Sequence, residues 1–183
     1  TVLKANVEAT DLTRVGFSKN KTNWSFFWHN NDAIWVNGGK MTTAAVTGTR
    51  TASFSGENVD TDDGYAVYPY DKAIVDGNIL TWNFPSSYVY TSIDEDFFKT
   101  PQEVPMYAIV ENGSASFKHL AAICAFKFNE WTHTGEHRFE LHTSKKISDN
   151  FEVALTEETP EIVTETTSDD CVTITYDRPA NAE

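Results

Sequence analysis

The chain has 183 residues, 40% hydrophobic and 13% aromatic, with a formal net charge of −13. That length holds one large domain or two small ones with a substantial core, and the apolar content excludes a disordered chain. The charge repels phosphate backbones and anionic headgroups, so nucleic acid and anionic lipid surfaces are discounted as partners.

Short alternating segments punctuated by Gly, Asn, Asp and Pro recur from end to end. Trp24, Phe26 and Trp28 share one face at period two, and Asn30-Asn31-Asp32 makes a turn. Ala33 to Val36 reads as a strand closed by Asn37-Gly38-Gly39, and Thr49 to Phe54 alternates until Gly56. Tyr65 to Tyr70 is an apolar strand ended by Pro69. Asp76-Gly77-Asn78 is a hairpin signal before the strand Ile79 to Phe84. Ile93 to Phe98 has room for one helical turn. Met106 to Val110 and the segment after Asn112-Gly113, which runs through Leu120 to Phe128, read as two buried strands. His137 to Leu141 places Phe139 and Leu141 opposite Arg138, Glu140 and His142. Phe151, Val153 and Leu155 repeat the alternation, Thr156 to Asp170 reads as an exposed loop or weak edge strand, and Val172, Ile174 and Tyr176 end the series. About ten short strands without helical periodicity predict an all-β antiparallel sandwich or barrel, with long loops and at most one or two helical turns.

Cys124 and Cys171 are too few for a disulfide scaffold. Cys124 shares a face with Ala122 and Phe126, whereas Cys171 lies opposite Val172 and Ile174. These opposed phases predict two separate thiols. No signal peptide or membrane span is present, and Thr1 in place of methionine points to a removed leader.

Chemistry-bearing patterns are sparse. Asp60-Thr61-Asp62-Asp63-Gly64 offers hard oxygens but lacks the ligand spacing of a calcium loop, so a solvated turn is expected. The five histidines are His29, His119, His133, His137 and His142. His133 and His137 would pair on a metal only in a helix, and Gly135 argues against one. His119 is read as structural. No nucleophile elbow, phosphate loop or zinc-protease motif occurs, so no catalytic residue, cofactor or metal is expected. Of Trp24, Trp28, Trp35, Trp82 and Trp131, four lie in alternating strands and are expected in the core. Trp131 falls in a turn and is the candidate exposed aromatic for ligand contact.

Several ordered pieces resemble the fimbrillin family of anaerobic Gram-negative bacteria. They are Thr13 to Phe17, Trp28 to Val36, Tyr65-Ala66-Val67-Tyr68-Pro69-Tyr70, Leu80 to Ser86, Met106 to Phe128 with its Phe117-Lys118-His119-Leu120, and Ile147 to Val153. Phe84-Pro85 replaces the family's Leu-Pro, and Asn150 stands where a Gly is usual. The resemblance implies a transthyretin-like β-sandwich over residues 13–177, an N-terminal segment with the first strand over 1–20, and a linker at 178–183 toward a second domain. It further implies an outer-membrane lipoprotein precursor of a cell-surface fimbria. Proteolysis near the first strand would open a groove that a neighbouring subunit's strand fills. Arg14 is the candidate cut site, with Lys4 and Lys19 as others. The implied partners are other fimbrial subunits, with a surface glycan or protein as adhesion target. The rival reading is a carbohydrate-binding β-sandwich module of a surface lipoprotein, which needs exposed coplanar aromatics.

Overall fold

The computed structural model describes residues 1–7, 28–44, 47–90, 105–121, 135–156, 160–165 and 170–178. Those residues form strands joined by turns, with a single 3-10 turn at Tyr70–Lys72 after the cis Tyr68-Pro69 peptide. In chain order the strands are β1 (Val2–Val7), β2 (Trp28–His29), β3 (Ala33–Val36), β4 (Gly39–Thr43), β5 (Thr47–Thr49), β6 (Thr51–Ser55), β7 (Asp63–Tyr68) and β8 (Ile74–Asp76). They continue as β9 (Ile79–Phe84), β10 (Ser87–Tyr90), β11 (Met106–Glu111), β12 (Ser114–His119), β13 (Gly135–His142), β14 (Asp149–Ala154), β15 (Glu161–Glu165) and β16 (Cys171–Arg178).

Seven strands close into a barrel in the order β1-β12-β11-β7-β3-β4-β6, with β6 returning to β1. A four-stranded sheet β15-β14-β9-β8, a three-stranded sheet β10-β16-β13 and a short β2-β5 pair complete the described strands. The all-β expectation holds, and of the two architectures that the strand spacing allowed, the principal sheet takes the barrel. The expectation of purely antiparallel pairing does not hold: β1 runs parallel to β12, and β10 parallel to β16. For the barrel the reason is arithmetic. Directions cannot alternate around a closed ring with an odd number of strands, so a seven-stranded ring must contain a parallel pair.

Two cores explain the hydrophobic patterns. The barrel interior is filled from alternate positions, among them Leu3, Ile34, Met41, Phe54, Met106 and Phe117. Trp28 lies fully buried there, edge-on to Phe54, Tyr68 and Phe117 at centroid distances of 4.9, 5.6 and 5.3 Å. The second core lies between the barrel wall and the four-stranded sheet. Val67 and Tyr107 face outward from the barrel and meet Leu80, Trp82, Val153 and Leu155. β7 and β11 are therefore covered on both faces, and so they read as continuous apolar runs. Thr156 to Asp170 supplies β15, an edge strand that joins β14 through a bulge at Glu152/Val153.

Turn chemistry holds these layers in register. Asn112 and Gly113 both have positive φ, 49° and 72°, as a two-residue hairpin between β11 and β12 requires. Their amides donate to the carbonyls of Asp62 and Thr61. Asn37 donates through Nδ2 to the carbonyls of Asp60 and Asp63, and its Oδ1 accepts from the Tyr65 amide. Gly64, at φ 124°, leaves the space: a Cβ there would lie 2.0 Å from Asn37 Oδ1. Every carbonyl from Asp60 to Asp63 thus accepts a bond from the protein.

Candidate strand-exchange site

β1 is a short strand that completes the barrel. Leu3, Ala5 and Val7 are buried inside, while Val2, Lys4 and Asn6 face outward and are exposed. On one side β1 pairs antiparallel with β6, setting Leu3 against Phe54 and Ala5 against Ala52. On the other it pairs parallel with β12, setting Ala5 against Ala115 and Val7 against Phe117. Three alanines therefore form a row across the wall, with larger pairs on either side. The Lys4 amide donates to the Gly113 carbonyl at 2.9 Å, and the Val7 amide to the Arg50 carbonyl at 3.0 Å.

Burying Leu3, Ala5 and Val7 contributes on the order of 5 kcal/mol. That is comparable with the entire stability of an ordinary domain, about 5–15 kcal/mol. Without β1, the barrel would have two unpaired edges, on β6 and β12, beside an apolar slot. Edges of that kind are where a strand adds to a sheet.

The family-like piece Thr13 to Phe17 lies outside the described residues, and β1 falls within the 1–20 segment. The signal was present in the period-two spacing of Leu3, Ala5 and Val7, diluted by the apolar Val2 on the opposite face. Lys4 lies on the outer face of β1. Arg14, Lys19, Trp24, Cys124, Trp131 and His133 lie outside the described residues. Trp28 and Trp82 are in the two cores as expected, and Trp35 packs against the second.

A shallow groove of about 230 Å³ runs along β11 and β12, between Tyr107, Ile109 and Glu111 on one side and Ser114, Ser116 and Lys118 on the other. Its only aromatic, Tyr107, is buried in the second core. The groove therefore lacks the flat exposed rings that stack on sugars.

His119 ends β12, where desolvation pushes its imidazole down to about 4 from the ordinary 6.5. Between those values the unfolded chain binds a proton that the folded chain does not. Stability should then fall as pH drops from 6.5 toward 4. The expected loss at pH 5 relative to pH 8 is about 1–2 kcal/mol. Urea midpoints at the two pH values measure it, and His119→Gln should flatten this part of the profile. Asp32 shifts upward through burial, opposed by the His29 amide on its carboxylate, the His29 charge and the Tyr68 hydroxyl. It anchors the turn between β2 and β3.

Comparison of the chain with protein-family models, with curated proteins and with solved structures finds no match in any of the three.

Proposed function

We propose that this chain is a structural subunit of a cell-surface fimbria that assembles by strand exchange, rather than an enzyme. The single observation that carries the reading is β1: a strand of six residues that seals a barrel and buries every second side chain. The fimbrillin-like motifs around Tyr65 to Tyr70 and Met106 to Leu120 support it, since they fall in β7, β11 and β12 of the barrel, and β12 borders the slot. On this reading the subunit is exported to the outer surface. A protease cuts after Arg14, and residues 1–14 leave with β1. A strand from the next subunit then takes its place. The transthyretin-like sandwich of that family is proposed as the finer description of the fold, with the barrel wall and the sheet β15-β14-β9-β8 as its two layers.

The test is limited digestion with an Arg-specific protease, followed by size-exclusion chromatography and unheated SDS gels. Cleavage after Arg14 should convert monomer into SDS-resistant ladders, and Arg14→Gln should remain monomeric. A cleaved chain that stays monomeric with β1 released rejects the proposal.

A further inference from the structure

The pairing of β13 with β16 brings a side chain from one strand against two from the other, 29 residues away in sequence. Glu140 and His142 project from the exposed face of β13, and Cys171, at the start of β16, lies directly opposite His142. The Cys171 Sγ is 3.7 Å from His142 Nε2, and Glu140 Oε2 is 3.2 Å from that same nitrogen. All three donor atoms lie within 4.8 Å of one another.

Both short contacts end on one nitrogen. A nucleophilic relay uses the two ring nitrogens separately, one toward the thiol and one toward the carboxylate. Three donor atoms all within 4.8 Å of one another are instead an arrangement that a single ion can bridge. Zinc bonds of about 2.0–2.3 Å in a tetrahedron place neighbouring donors about 3.3–3.6 Å apart, close to the two spacings here. A second contact steadies the carboxylate: Arg138 Nη2 donates to Glu140 Oε1 at 2.7 Å, which leaves Oε2 turned toward His142. The flanking backbone is fixed as well. The Thr143 amide donates to the Asp170 carbonyl at 3.0 Å, and the buried Ser148 hydroxyl donates to the Cys171 carbonyl at 3.2 Å.

We propose that Glu140, His142 and Cys171 form a three-ligand site for a borderline transition-metal ion, zinc by its donor set, that staples β13 to β16. Binding displaces the thiol proton to solvent, and the thiolate and carboxylate together balance the charge of a divalent cation. The fourth position stays open to water. This inference is independent of strand exchange, because β13 and β16 are not barrel strands.

Cobalt(II) is the probe, titrated into the reduced full chain and followed by absorption. A thiolate-to-cobalt charge-transfer band should grow to one equivalent and vanish when zinc is added. Cys171→Ser should abolish the band. His142→Ala should weaken binding by more than the roughly 10–100-fold that loss of a supporting group costs. Cys124→Ser should leave it intact. All of the altered side chains at the site are solvent-accessible, and thermal melts of the metal-free variants should match the parent chain. Absence of the band, or a band that survives Cys171→Ser or is indifferent to His142→Ala, overturns the assignment.

Discussion

A chain that begins at Glu8 is expected to lose its cooperative monomeric fold and to self-associate, and a peptide of residues 1–7 should restore the monomer. The loss of Leu3, Ala5 and Val7 removes on the order of 5 kcal/mol of apolar burial. It also leaves the inward edges of β6 and β12 without their ladders. Such edges pair with whatever strand is near, usually another copy. Size-exclusion chromatography with multi-angle scattering measures the first effect, and urea unfolding with the peptide at one equivalent measures the second. A control peptide carrying Leu3→Asp and Val7→Asp should fail, because it retains the backbone donors and loses the apolar fit. If the truncated chain stays monomeric and as stable as the parent, β1 does not seal the barrel. The strand-exchange reading would then lose its support.

Trp28→Ala should cost about 3–5 kcal/mol, toward the upper end of that range. The indole is fully buried and meets three aromatic neighbours edge-on. Each such pair adds about 0.5–1.5 kcal/mol beyond area alone. Its neighbours come from β6, β7 and β12, which lie on different sides of the ring, so the cavity has no single wall that can move in to fill it. Against an ordinary stability of about 5–15 kcal/mol, the variant should be marginal at room temperature. The shift in urea midpoint gives the number, and Trp28→Phe should recover part of it. A loss under about 2 kcal/mol would mean that the barrel collapses around the gap.

Much of the fold was legible because its turns announce themselves. Ala33 to Val36 and Ile79 to Phe84 emerge as strands at the limits that Asn37-Gly38 and Asp76-Gly77-Asn78 impose. β7 and β11 were visible as strands, but their missing alternation becomes intelligible only once a second sheet covers their outer faces. Strand direction was not legible. Side-chain period reports which face is wet and says nothing about which neighbour lies beside a strand, so the parallel pairs stayed hidden. The Glu140, His142 and Cys171 cluster was invisible for the same reason. Its donors are joined by the register His142↔Cys171, across a loop that no motif spans.

The slot left by β1 has a further property. Seven strands less β1 leave six that strictly alternate, so β6 and β12 point in opposite directions. Any replacement meets one parallel and one antiparallel border, whichever way it enters. Side-chain size discriminates little better. The inner seats of β1 run large, small, large through Leu3, Ala5 and Val7, a sequence of sizes that reads alike from both ends. The groove is thus nearly blind to the polarity of what fills it. On the strand-exchange proposal, head-to-tail order would have to come from the tether that delivers each strand. On that same proposal, shortening or reversing the tether should disorder the assembly, as electron microscopy would show, while each strand still seats in its slot.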